Sequence, residues 1–283
     1  MKKILVPTDF SDNAYRAAQY AAKMGIEQHY SLHLLHCYTA STTYLSHENG
    51  EDDFNDDPIL QADQTMKEWV EKLQKEYPKL PISFSNERGL LEEVIPHETV
   101  QADYAAVVMG TTGTSRNKNI FWGSNTALII GKSHVPVIAI PNIEGSHTIK
   151  KIGLLTNFKA EELVTLKEYM QLFKGQVDLD LIHIYNYGEE VSEVKERIES
   201  WIFNIRKFNH IEKIGYVIGP TVKDDQELDT VPEVISKLVD IAMIDMLLVS
   251  NSRRPFLKKL FTPSVSKALT LDLPKPAFFS KTV

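Results

Sequence analysis

Cysteine is almost missing from this chain: Cys37 is the only one among 283 residues. A single thiol cannot close an intramolecular disulfide or build a multi-thiolate metal centre, and it fits a reducing compartment. Long hydrophobic runs are missing as well. Stretches such as Tyr104 to Met109 and Met246 to Val249 fall far short of the roughly 20 residues that cross a bilayer. The start, Met1-Lys2-Lys3 followed by a short strand-like run ending at Pro7-Thr8-Asp9, has neither the apolar core nor the cleavage site of a signal peptide. The expectation is a cytoplasmic protein with no membrane partner. Nor is there an excess of positive charge. Lys and Arg number 31 against 38 Asp and Glu, for a net charge of −7. Residues 1–143 account for −6 of it and residues 144–283 for −1, so neither half offers the basic surface that nucleic acid requires.

What is present is a repeat. Ile4-Leu5-Val6-Pro7-Thr8-Asp9-Phe10 aligns with Ile152-Gly153-Leu154-Leu155-Thr156-Asn157-Phe158, 148 positions later. Leu32 to Tyr38 aligns with Leu179 to Tyr185 at 147, and Ala102 to Gly110 with Ala242 to Ser250 at 140. The offset shrinks because the first half carries a longer loop after its second strand. Offsets that change only at loops mark a duplicated domain. The sequence therefore divides into residues 1–143 and 149–283, with a polar seam from Ile143 to Thr148.

Within each half, strands and helices alternate. Lys3 to Val6 reads as a strand. Asp12 to Met24 reads as a helix, with Ala14, Ala17, Ala18, Ala21 and Ala22 at helical spacing and Ser11 or Asp12 as N-cap. Strand Leu32 to Cys37, helix Ile59 to Glu76, strand Ile82 to Phe84 and helix Leu90 to Val100 come next. Strand Ala105 to Met109, helix Ser124 to Gly131 and strand Val135 to Ile140 close the unit. The second half repeats the order with strands near Lys151, Leu179, Glu212, Met246 and Pro276. Near-continuous apolar strands alternating with helices predict a parallel sheet covered on both faces. The fold class is α/β: two tandem, doubly wound, five-stranded Rossmann-like domains. Ligands of such sheets sit beyond the carboxyl ends of the strands, where the strand order reverses.

At that edge the first half reads Gly110-Thr111-Thr112-Gly113, nine residues, then Gly123-Ser124-Asn125 opening a helix. Glycine lets backbone amides come close to a bound group, and a helix N-terminus presents free N–H groups and a positive dipole end. This is physically a phosphate cradle. No Gly-x4-Gly-Lys-Ser/Thr loop is present, so no lysine is placed for phosphoryl transfer in the P-loop manner.

These residues resemble the universal stress protein family, whose nucleotide-binding members share Gly-x2-Gly-x9-Gly-Ser/Thr. Gly110, Gly113, Gly123 and Ser124 match every fixed position. Val6-Pro7-Thr8-Asp9-Phe10-Ser11, Leu34-Leu35-His36 and Ser133-His134-Val135-Pro136-Val137 support the match, which covers the first 141 residues well. The resemblance implies an adenine nucleotide: ATP, or ADP or AMP, with Mg²⁺ arriving on the phosphates. Asp9 would lie beside the adenosine moiety, Cys37 would offer main-chain groups to adenine, and Gly110 would border the ribose. Gly113, Gly123, Ser124 and Asn125 would hold phosphates. Pro7, Thr8, Met109 and Thr112 are further candidates at the same edge, and Arg116, inside the nine-residue loop, could fold over the phosphates. No sequence pattern announces a catalytic base or a water-positioning residue, and no metal ligand is expected. The resemblance also implies that the halves pair through their fifth strands, Val135 to Ile140 and Ala277 to Ser280, while leaving a further homodimer open. The second half departs from the pattern. Asn157 replaces Asp9, Ser250 replaces Gly110, Arg253 replaces Gly113 and Pro263 replaces Gly123; only Ser264 keeps its type. That half is expected not to bind ATP, although Arg253, Arg254, Lys258 and Lys259 leave open an anion gripped by charge.

Other groups read as structural. His33 and His36 lack Cys, Asp or Glu partners at metal-ligand spacing, and His134 and His183 match no acid–base constellation. Cys37 reads as a packing residue rather than a catalytic thiol. The acidic run Glu48, Glu51, Asp52, Asp53, Asp56 and Asp57 lacks the spacing of a Ca²⁺ loop and reads as a solvated segment. The functional expectation is an ATP-binding regulatory, stress-response protein without strong intrinsic catalysis. A slow ATP hydrolase or nucleotidyl transferase, and a ligand-free scaffold, are the alternatives.

Overall fold

The structure is a computed structural model that describes residues 1–39, 58–101, 103–111, 124–142, 148–186, 188–221, 231–250 and 275–281. The first half contains strands β1 (Lys3–Thr8), β2 (Ser31–Tyr38), β3 (Ile82–Arg88), β4 (Tyr104–Gly110) and β5 (Val137–Ile140). Its helices are α1 (Asp12–Gln28), α2 (Pro58–Glu76), α3 (Leu91–Gln101) and α4 (Ser124–Lys132). The second half contains β6 (Lys151–Leu155), α5 (Ala160–Leu172), β7 (Val177–Tyr185), α6 (Val191–Ile205), β8 (Ile211–Pro220), α7 (Val231–Ile241), β9 (Met246–Val249) and β10 (Ala277–Phe279).

All ten strands form one continuous sheet in the order β3-β2-β1-β4-β5-β10-β9-β6-β7-β8. Every pairing is parallel except β5 with β10. There Ile138 lies opposite Phe278, its own counterpart in the repeat. A strand segment that pairs antiparallel with its own equivalent defines a local twofold axis, so the halves form an intrachain pseudo-dimer. The two five-stranded units expected from the sequence are thus joined edge to edge. The junction also removes two apolar edges that would otherwise template unwanted pairing.

Alternation along the strands builds two cores. Ile4, Val6, Ile138, Ile140, Ile152, Leu154 and Phe278 point to one face, under α1, α2, α5 and α6. Leu5, Val137, Ala139, Leu155, Ala277 and Phe279 point to the other, under α3, α4 and α7. The alanine stripe of α1 is fully buried on the first face, and Ser11 caps that helix by accepting from Ala14 N at 3.2 Å. Two element ends differ from the periodicity for identifiable reasons. β3 runs past Phe84 to Arg88 because the β2 backbone keeps pairing with it through polar Ser85, Asn86 and Glu87. β5 starts at Val137 rather than Val135: Pro136 has no N–H to donate, although its carbonyl still accepts from Val107.

Candidate functional site

The strand order makes β1 and β4 neighbours, and the chain leaves them in opposite directions. α1 follows β1 onto one face of the sheet, and α4 follows the loop after β4 onto the other. Between the starts of the two helices, at the carboxyl edge of β2, β1 and β4, lies the switch-point crevice. Pro7, Thr8, Asp9, Cys37, Met109 and Gly110 all come to this edge from separate strands or the turn after β1. Backbone registers place Thr8 beside His36, and Leu5 beside Val107 three residues before each strand ends.

The turn after β1 is tightly specified. Thr8 Oγ1 accepts from Phe10 N at 3.0 Å, and Asp9 Oδ1 accepts from Ser11 N at 3.1 Å. Phe10 takes a left-handed φ of 63°, a conformation that costs free energy for a side chain of its size. The ring is held in return: it lies against His36 with centroids 4.5 Å apart and meets Trp69 of α2 edge-on at 5.7 Å. The His36 Nδ1–H donates to the Thr8 carbonyl at 3.0 Å, which fixes the proton on that nitrogen. Asp9 is left exposed at the tip of this braced turn. Ser11, not Asp9, is the helix N-cap of α1.

On the β4 side, Gly110 meets the first turn of α1. A Cβ there would come within 2.6 Å of Asn13 Nδ2 and 2.9 Å of its Cγ, so only glycine fits. Thr126 Oγ1 donates to the Gly110 carbonyl at 3.0 Å, tying the N-terminal turn of α4 to the end of β4. Thr111 N bonds to the Ile140 carbonyl at 3.0 Å. Ser124 opens α4 and Asn125 is exposed beside it. Asn13, Thr126, Phe10 and Trp69 do not stand out in the sequence; the alignment of Phe10 with Phe158 and of His36 with His183 was the signal available for the brace. Thr112, Gly113, Arg116 and Gly123 lie outside the described residues. So do the acidic run, the segment from Asn117 to Trp122, and Arg253, Arg254, Lys258, Lys259, Pro263 and Ser264.

Burial, then the Glu87 and Glu98 carboxylates, push the Cys37 thiol up to about 12, so it stays protonated at neutral pH. His33 is held between Ser83 Oγ at 2.9 Å and Ser85 Oγ at 3.0 Å on β3, and burial lowers its pKa. No group of three or more potential His, Cys, Asp or Glu metal ligands occurs among the described residues.

The second half repeats the brace atom for atom. Thr156 Oγ1 accepts from Phe158 N at 3.0 Å, Phe158 has φ 63°, His183 Nδ1 donates to the Thr156 carbonyl at 2.9 Å, and Trp201 meets Phe158 edge-on at 6.3 Å. The difference is Glu162, the counterpart of Ala14. Its carboxylate is fully buried and accepts from Thr156 Oγ1 at 2.5 Å and Asn157 N at 2.7 Å. In the second half a side chain of the protein itself thus engages the turn after the first strand.

A doubly wound α/β sheet with a glycine-bearing switch point and a braced acidic turn defines the class as a Rossmann-like protein. The sequence model of the universal stress protein family matches residues 1–141. Through that half the chain belongs to the universal stress protein family. Two solved structures share the fold over the whole chain. A universal stress protein from Archaeoglobus fulgidus DSM 4304 is 16% identical, with 99% of this chain and 96% of that one covered and a TM-score of 0.66. A putative universal stress protein from Pseudomonas aeruginosa UCBPP-PA14 is 14% identical, with 99% and 93% covered and a TM-score of 0.57. No curated protein sequence matches the chain. Among the described residues no helix is long and apolar enough to cross a membrane.

Proposed function

We propose that residues 1–143 bind one adenine nucleotide, ATP or its products ADP and AMP, at the carboxyl edge of β1 and β4, and that residues 149–283 do not. The observation that carries the reading is the convergence of an exposed Asp9, a close-packed Gly110 and the start of α4 at one switch point. The glycines of Gly-x2-Gly-x9-Gly-Ser supply bare amides for phosphates, with Gly113, Gly123, Ser124 and Asn125 as the donors. Asp9 accepts from the nucleoside, and the main chain near Cys37 borders the base. Mg²⁺ enters with the phosphates, because the cradle offers neutral donors rather than carboxylates. In the second half, the loss of these glycines and the buried Glu162 carboxylate both disfavour an anion. The protein acts by holding the nucleotide, and the bound loop presents a surface to a regulatory partner. It does so without strong turnover.

The test is mass spectrometry of ligand released from freshly purified, denatured protein, paired with thermal shift. ATP at about 100 times its dissociation constant should stabilise the first half by about 2.7 kcal/mol, roughly 5–10 °C. Gly113→Arg should abolish the shift. No shift with ATP, ADP or AMP at millimolar concentration contradicts the reading and leaves the scaffold alternative. Steady-state hydrolysis that Asp9→Asn abolishes would favour the enzyme alternative.

A further inference from the structure

The local twofold axis creates two related grooves at the opposite, amino edge of the sheet, each roofed by a helix of one half and floored by strand starts of the other. In one, α1 (Tyr20, Lys23, Met24, Glu27) lies over the segments leading into β6 and β7, leaving a space of about 100 Å³. In the other, α5 lies over the starts of β1, β2, β4 and β5, leaving about 200 Å³. Because β10 runs antiparallel to β5, Lys281, two residues past its end, arrives in the same place.

Duplication makes the grooves directly comparable. The larger is lined by Lys2, Tyr30, His134, Glu168, Gln171 and Lys281 among others. By the repeat offsets their counterparts are Lys150, Val177, Pro274, Tyr20, Lys23 and Pro141. Of these counterparts Val177, Tyr20 and Lys23 line the smaller groove, whose charged groups are Lys23 and Glu27, whereas the larger gathers Lys2, His134, Glu168 and Lys281.

Two lysines and a histidine face one carboxylate there, in a chain whose net charge is −7. Lys2 is only loosely engaged by Asp103, at 3.7 Å with both side chains mostly exposed. Glu168 is tied into the wall by accepting from the Lys281 backbone N–H at 3.2 Å, and burial raises its carboxyl above the ordinary range. The Tyr30 hydroxyl reaches the Leu172 carbonyl only at 3.5 Å, a distance that leaves it able to serve a ligand. The volume is below the 300–1,000 Å³ of pockets for drug-sized ligands, which suits a ligand smaller than a nucleotide.

We propose that this inter-half cleft is a second binding site, for a small organic anion of metabolite size bearing carboxylate or phosphate groups, held by Lys2, Lys281 and His134. It is built from both halves, and it is separate from the nucleotide edge at the other end of the strands. Occupancy stabilises the junction of the halves.

The experiment is calorimetric titration of the full-length protein with citrate, succinate, inorganic phosphate and 3-phosphoglycerate at low ionic strength. The panel distinguishes carboxylate from phosphate as the recognised group. The expected result is saturable one-to-one binding of at least one probe, about tenfold or more weaker in Lys2→Ala/Lys281→Ala and tighter in Glu168→Gln. Lys23→Ala, in the twin groove, leaves the affinity unchanged and controls for general charge attraction. No saturable binding of any probe below about 10 mM overturns the proposal. So does binding that Lys23→Ala weakens as much as the cleft variants do. ATP titrated into the same proteins reports separately on the nucleotide edge, so failure of one site is not mistaken for failure of the other.

Discussion

Replacing Gly110 by alanine tests how the carboxyl edge of β1 and β4 is assembled. The added methyl would sit 2.6 Å from Asn13 Nδ2, 2.9 Å from its Cγ and 3.1 Å from its backbone carbon. Asn13 is 2% exposed, in the first turn of a helix whose alanine face is buried, so it cannot swing into solvent without opening the crevice. Overpacking of this kind costs about 1–3 kcal/mol, which for half a chain of this size lowers the melting temperature by roughly 2–10 °C. Gly131→Ala is the internal control. It lies in helix α4 with nothing within 4 Å of the new methyl, and should stabilise by about 0.5–1 kcal/mol because glycine is a poor helix former. Asn13→Ala removes the two shortest contacts. The double variant should therefore be more stable than the two single costs predict, by on the order of 1 kcal/mol. Urea melts followed by circular dichroism give all four numbers. A Gly110→Ala protein as stable as the parent, or a double variant showing no coupling to Asn13, would refute the assignment of Gly110 to close packing between β4 and α1.

Other outcomes follow from the same geometry. Glu162→Ala should cost about 2–4 kcal/mol in the second half, because it strands the Thr156 hydroxyl and the Asn157 N–H; urea melts of that half check it. Asp180→Ala leaves Lys151, now 2.7 Å from the carboxylate and largely buried, without its partner, and should cost about 1–3 kcal/mol in the same assay. Cys37, held protonated up to about pH 12, should alkylate with iodoacetamide at pH 8 on the order of 10³-fold slower than an ordinary thiol, measured by mass spectrometry. The lowered His33 pKa means the unfolded chain binds that proton more readily. Its contribution to stability is therefore present at neutral pH and lost as pH falls below about 6.5. NMR titration of the His33 ring should show the low midpoint directly.

The strand–helix order was legible because buried parallel strands read as apolar runs and α1 carries its alanines at helical spacing. The repeat was legible because the strands Ile4 to Phe10 and Ile152 to Phe158 kept their pattern. The braced turn was only half visible. Phe10 and His36 align with Phe158 and His183, but Trp69 and Trp201 sit 132 positions apart, outside every repeat offset, and meet the phenyl rings only once α2 and α6 pack down. Glu162 looked like an ordinary acidic residue in the first turn of a helix, where the dipole favours it; that it bends back onto Thr156 and Asn157 depends on tertiary packing. The inter-half cleft had no signature at all. Lys2, Tyr30, His134, Glu168 and Lys281 are spread along the entire chain, and the antiparallel β5–β10 register alone brings them together.

The reading of one working edge and one closed edge is tested most directly by stoichiometry. Equilibrium titration of the 283-residue protein with radiolabelled ATP should saturate at one nucleotide per chain, and at none once Gly113 is replaced by arginine. Two nucleotides per chain, or one that survives that substitution, would contradict it.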